Sequence, residues 1–117
     1  MNSKLEFDSV NSTVKELHNG LLMHVTYITK EGKRDEFIQK VKDLGIMTAS
    51  QQEPGNLFYE YYYPIDDENS VLLVEAWTNT DSQVQHTKTE HFQTLSEIKN
   101  EYVETTLIKK FTASDAI

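Results

Sequence analysis

Two hydrophobic periods alternate along this chain, and their order leaves few folds open. Residues 21–29, LLMHVTYIT, are rich in β-branched and aromatic side chains and read as a strand, with Met23, Val25 and Tyr27 on one face and His24, Thr26 and Ile28 on the other. After Glu31-Gly32 the period lengthens. Phe37, Ile38, Val41, Leu44 and Thr48 fall at helical spacing with charges opposite, which predicts one helix of about four turns within residues 33–52. Glu53-Pro54-Gly55-Asn56 is a turn signal, and NLFYEYYYP after it is a second strand that sets Leu57, Tyr59, Tyr61 and Tyr63 on one face and stops at Pro64. A polar loop leads to VLLVEAWT, where Val71, Leu73, Glu75 and Trp77 share a face, so these two strands form a hairpin.

The second half repeats the theme. Thr80-Asp81-Ser82 supplies capping side chains for a short helix through His86, and Thr89 caps another from Glu90 with the stripe Phe92, Leu95, Ile98, Tyr102. Residues 105–111, TTLIKKF, alternate as a last strand. Strand, helix, strand, strand, helix, strand is the ferredoxin-like α+β order, βαββαβ: an antiparallel sheet with its helices on one face.

At 117 residues one domain is expected, over residues 21–111, burying somewhat over 60% of the surface its unfolded chain exposes. Residues 1–20 read as an N-terminal extension in which Val10, Val14 and Leu17 line a short amphipathic turn, and residues 112–117 as a tail. Leu, Ile, Val and Phe total 30, enough for a folded domain but a modest core, and a chain of this kind can complete its core by dimerising. Without Cys there is no disulfide and no thiolate metal site, which fits a reducing compartment. No signal-peptide pattern, apolar spanning run or lipidation signal is present, so the expectation is a soluble cytoplasmic protein.

Charge narrows the partners. The sequence has 19 acids against 11 bases, yet between Lys42 and Lys88 there is no Lys or Arg, while that stretch holds eight acids and therefore the whole net charge of −8. A nucleic-acid binder needs clustered cations, and an anionic membrane surface attracts them; this chain has one Arg, Arg34, and a cation-free middle.

The segment from Glu53 to Phe92 carries a pattern: PGN-x-x-YE, then Glu75-x-Trp77, then His86 through Glu90-His91-Phe92. It resembles the antibiotic biosynthesis monooxygenase superfamily, in particular its small bacterial proteins of quinol monooxygenase type, over about 90 residues from Leu21 to Phe111. The resemblance implies a homodimeric α+β barrel with a pocket between sheet and helices. It also implies oxygenation of a small electron-rich aromatic by O2 without flavin, haem or metal. The superfamily includes haem-degrading enzymes and a sugar-phosphate isomerase as well, so fold does not fix reaction.

Ground-state oxygen is a triplet and reacts slowly with closed-shell organics; a deprotonated phenol or quinol can give up the electron that starts the reaction. The protein must supply a base, donors for the anion and a dry pocket. Trp77 falls on the tryptophan of the family's strand motif, which borders the pocket in characterised members. His86 and His91 match the motif's histidines and are the candidates for proton transfer, histidine being the side chain that titrates near neutral pH. Their spacing of five sets them about 140° apart on an unbroken helix, unlike the i, i+4 pair that binds zinc, and a break near Thr87 would change that angle. Tyr59, Tyr61, Glu75, His24 and Phe92 complete the set proposed to hold substrate. Glu75 lies among apolar neighbours, where an unpartnered carboxyl would titrate high. The family's oxygenases place an Asn on the first strand; here the inward candidates are His24 and Thr26. Two alternatives stand beside oxygenation: an isomerase of a small phosphorylated metabolite, anchored by Arg34, Lys33 or Lys88, and a non-catalytic dimer that binds a small ligand or haem.

Overall fold

In a computed structural model of the chain, which describes residues 16–116, the elements follow the expected order. They are β1 (Gly20–Thr29), α1 (Arg34–Asp43), α2 (Ile46–Gln51), β2 (Asn56–Tyr62), β3 (Ser70–Trp77), α3 (Thr80–His86), α4 (Glu90–Tyr102) and β4 (Val103–Ala113). The four strands form one sheet in the order β2-β3-β1-β4, every neighbouring pair antiparallel. This is the ferredoxin-like α+β fold. The turn expected at Val10 and Val14 lies outside the described residues. Leu17 does not belong to a helix; its carbonyl accepts from the Asp115 N–H at 2.7 Å. The expected tail is thus partly strand, since β4 runs through Ala113.

Alternation in β1 and β3 assigns the two faces of the sheet. Met23, Val25, Tyr27, Val71, Leu73 and Trp77 are buried on the inner face, where Phe37, Val41, Ile46, Leu95, Ile98 and Tyr102 from the helices close the core. Two expectations about local structure change here. The single long helix is two, because Gly45 adopts φ 67°, the left-handed conformation that ends a helix at its C′ position. The break moves Ile46 into the core and leaves Thr48 and Leu44 exposed. In β2 the register with β3 shifts between Asn56 and Phe58, so Asn56 is buried opposite Trp77 and Leu57 leaves the face assigned to it. Tyr63 lies beyond the strand's end.

The turn before β2 depends on Gly55. Its φ is 83°, and a Cβ there would stand 2.2 Å from Ser82 Oγ and 2.9 Å from Thr78 Oγ1. Gly55→Ala is therefore expected to destabilise the fold by roughly 2–4 kcal/mol, combining left-handed strain with overpacking. Chemical denaturation checks it; an unchanged midpoint would contradict this account of the turn. No helix among the described residues is long and apolar enough to cross a membrane.

Candidate active site

Trp77 ends β3 fully buried, and its indole Nε1–H donates to Glu75 Oε1 at 3.1 Å, two residues back on the same face. Beside it is His86, the last residue of α3, also buried. Four rings surround the imidazole: Trp77 at 4.9 Å between centroids, Phe92 at 5.2 Å, and Tyr59 and His91 at 5.7 Å. Thus β2, β3, α3 and α4 converge on one histidine.

The connection between α3 and α4 makes this possible. Thr87 caps the end of α3, and Thr89 restarts the chain as a helix by accepting from the Phe92 N–H at 3.2 Å. The break releases His86 and His91 from the 140° separation of a continuous helix. Both now point at Glu53. His86 Nδ1 lies 2.5 Å, and His91 Nε2 2.7 Å, from the same carboxylate oxygen, Oε2. At the start of α3 the cap is Asn79, whose side chain accepts from the Ser82 N–H at 2.8 Å, and not the Thr80-Asp81-Ser82 group.

Glu53 is the residue that sequence reasoning passed over, taking it as part of a turn. A signal existed. An acid with no Lys or Arg near it in sequence, in a chain with two histidines in the later motif, His86 and His91, has an imidazole as a natural partner. Asn56 was missed as well: its Nδ2–H groups donate to the carbonyls of Phe58 (3.0 Å) and Ala76 (3.4 Å), and its buried Oδ1 has no partner among the described residues.

The remaining expected residues divide. Tyr59 and Tyr61 stay together, their hydroxyls 3.1 Å apart. Burial pushes both phenols well above their ordinary range, so they remain neutral hydrogen-bond donors; in Tyr59 the nearby Glu75 carboxylate adds to the effect. Phe92 joins the ring cluster. His24 does not: it alternates to the outer face of β1 and packs edge-on against Phe111, ring centroids 5.2 Å apart. Thr26 shares that face, so the inward positions of β1 are the apolar Met23 and Val25 together with Tyr27.

Burial also pushes the Glu75 carboxyl above its ordinary value of 4.5, while the hydrogen bond from Trp77 works against the rise. Below that ordinary value both folded and unfolded chains carry the proton and burial costs nothing. As pH climbs toward the raised folded value the unfolded chain ionises first, and stability falls. Glu75→Gln keeps an acceptor for Trp77 and removes the charge. It is expected to melt a few degrees higher than the parent at pH 7, by roughly 2–8 °C, with the gain vanishing below about pH 4. A gain that persists at low pH would contradict the assignment.

The cluster itself is close-packed, and cavities flank it. One, of about 320 Å³, is lined by Ile38, Val41, Lys42, Met47, Tyr61 and Tyr63, so Tyr61 belongs to both cavity and cluster. Another, of about 420 Å³, opens beside Glu53 along Pro54, Asn79, Asp81, Ser82 and Gln85. Of the expected phosphate anchors, Lys88 is exposed just after α3, and Arg34 and Lys33 are committed elsewhere. Arg34 donates from Nη1 to the carbonyls of Asp67 (2.9 Å) and Ser70 (3.4 Å) with its guanidinium over the Tyr63 ring, and Lys33 pairs with Glu36 at 3.3 Å.

The profile of the antibiotic biosynthesis monooxygenase family matches residues 21–97, which include the whole cluster. Among curated proteins, "Putative monooxygenase YcnE" of Bacillus subtilis is 31% identical over 64 residues, a stretch covering 55% of this chain and 65% of that protein. The chain thus spans a little under two thirds of that relative. Among solved structures, PA3566 from Pseudomonas aeruginosa is similar with a TM-score of 0.75 at 18% identity, over 85% of this chain and 98% of that one. "Putative antibiotic biosynthesis monooxygenase from Nitrosomonas europaea" has a TM-score of 0.76 at 20% identity, over 81% and 90%. At such identities the two structures speak for the fold.

Proposed function

Because this chain belongs to the antibiotic biosynthesis monooxygenase family, we propose that it is a homodimeric monooxygenase that acts without a cofactor on a small, electron-rich aromatic of quinol type. The observation that carries this reading is the convergence of buried His86, Trp77 and Tyr59 with the partly buried His91 and Glu53, joined through Tyr61 to an apolar cavity. A quinol and O2 balance to a hydroxyquinone and water. One oxygen atom enters the ring, the other leaves as water, and the substrate supplies all four electrons, so no external reductant enters.

In this reading the ring lies against Ile38, Val41 and Met47 in the cavity beside Tyr61, whose volume is at the lower end of the range for small-ligand pockets, about 300–1,000 Å³. Tyr61, neutral, donates to the substrate oxygen. The contacts that lead from there to an imidazole run through Tyr59 to His86, which Glu53 holds in place. Among the residues that line the cavity, one is a cation. No Lys or Arg is available from residues 43–87, but Lys42, immediately before that stretch, lines the cavity from α1. A neutral aromatic that becomes an anion suits this setting better than a phosphate ester, given the commitments of Arg34 and Lys33.

The dimer is supported by the outer face of the sheet. Phe58, Leu72, Val74, Leu107 and Phe111 lie on it, with no helix of the described residues over them, and Phe58, Leu107 and Phe111 are exposed. A reducing, cytoplasmic setting suits a chain without Cys.

The test is oxygen uptake by metal-free protein over a panel of reduced quinones and polyphenols. Uptake should exceed autoxidation and fall in a Trp77→Phe, His86→Ala double variant; equal rates for parent and variant would sink the reading.

A further inference from the structure

We propose that Glu53, His86 and His91 also form a binding site for one divalent transition-metal ion of the kind that accepts imidazole nitrogen and carboxylate oxygen, with zinc as its type. The inference goes beyond the oxygenation reading and does not rest on it.

The donor set comes first. Two imidazoles and one carboxylate are the ligands of three-residue zinc sites that keep an open fourth position, and the same set suits Co2+ and Ni2+. Here the three ligand atoms lie within 4.8 Å of one another, although residues 53 and 86 are 33 positions apart. Nδ1 of His86 and Nε2 of His91 both meet Oε2 of Glu53, at 2.5 and 2.7 Å. An ion about 2.0–2.1 Å from each donor sets tetrahedral ligands about 3.4 Å apart, so each nitrogen moves about 1 Å or less away from Oε2, while the two nitrogens, within 4.8 Å of each other, keep or shorten their separation. Each ring then carries its proton on the nitrogen that faces away from the ion.

Support around the donors is already in place. The Glu53 N–H donates to the Ser50 carbonyl and the Glu53 carbonyl accepts from the Asn56 N–H, so the turn holds the carboxylate from both sides. Trp77, Phe92 and Tyr59 fix the plane of His86, and the Thr89 cap fixes the first turn that carries His91. Such fixed surroundings distinguish a ligand set from three side chains that happen to meet. An entry path exists too. Glu53 borders the cavity of about 420 Å³, and His91 keeps about a fifth of its side chain exposed while His86 is buried. An ion arriving through that cavity meets Glu53 first.

A bound ion takes the lone pairs of both imidazoles. Metal-loaded protein should therefore lose any proton transfer that these rings perform, while metal binding itself is measurable whether or not the protein oxygenates anything.

The experiment uses full-length protein without an affinity tag, stripped with a chelator. Zn2+ is titrated by calorimetry, and Co2+ by its visible absorption, which reports coordination geometry. The expected result is one ion per chain with a Kd below about 1 μM, and an affinity at least about 100-fold weaker in Glu53→Gln and in His91→Ala. His24→Ala, on the far face of the sheet, should bind as the parent does. Neither Glu53 nor His91 is fully buried, so these variants test the site even if His86→Ala does not fold. Absence of stoichiometric binding overturns the proposal. So does equal affinity in parent, Glu53→Gln and His91→Ala.

Discussion

Glu53→Gln should lower the turnover number of the proposed quinol oxygenation by about 10²–10⁴-fold, the range associated with loss of positioned acid–base chemistry. One carboxylate oxygen receives both imidazoles. Glutamine can set its carbonyl oxygen where Oε2 lies, but that oxygen is neutral, so it holds both rings more weakly and no longer stabilises an imidazolium. His86, enclosed by four rings, has little room to turn, and His91 should be the one released. The volume changes little, so the melting temperature should move far less than the rate. Oxygen-electrode kinetics together with a melting curve separate the two effects. A variant that keeps parental turnover would remove Glu53 from the mechanism.

Val74→Asp should convert the proposed dimer to monomer at micromolar concentration, weakening self-association by at least about 10³-fold. Val74 is at the middle of the outer face, opposite His24 on β1 and Glu60 on β2. A carboxylate there would be desolvated between two sheets beside Glu60, with the His24 imidazole opposite and Lys109 one strand further as the basic groups of that face, a loss of several kcal/mol per interface, and a two-fold axis places the second copy's carboxylate on the same surface. In a monomer the same side chain faces water and costs little. Sedimentation velocity checks this; a parent chain that is already monomeric, or a variant that remains dimeric, would contradict the assignment of that face.

The sequence was most legible where periodicity and burial coincide. Met23, Val25 and Tyr27, and Val71, Leu73, Glu75 and Trp77, occupy the faces that alternation predicts, because β1 and β3 are central strands with one side against helices. It was least legible where one residue resets the phase. Gly45 divides a helix whose apolar spacing continues through it, and the bulge at Leu57 brings Asn56 inward. Counting from either neighbour gives the wrong face.

The histidines show the same limit at the level of the site. Their residue types and the helix break near Thr87 can be read from the chain, but the partner that unites them is 33 residues upstream in a turn. Long-range convergence of that kind leaves no periodic trace. His24 illustrates the converse: strand parity alone puts it opposite Met23, on the side away from the core, and its chemistry suggested a pocket that parity excludes. The cation-free stretch kept its meaning and acquired an edge, since Lys42 reaches the cavity from just outside it.

The most direct test of the central claim is isotopic. Metal-free protein is given a quinol that yields oxygen uptake under 18O2, and product and water are analysed by mass spectrometry. The account predicts one labelled atom in the hydroxyquinone and one in water for each O2 consumed, with labelled product forming about 10²–10⁴-fold more slowly when Glu53 is replaced by Gln. Unlabelled quinone accompanied by labelled hydrogen peroxide would show simple oxidation, and would contradict it.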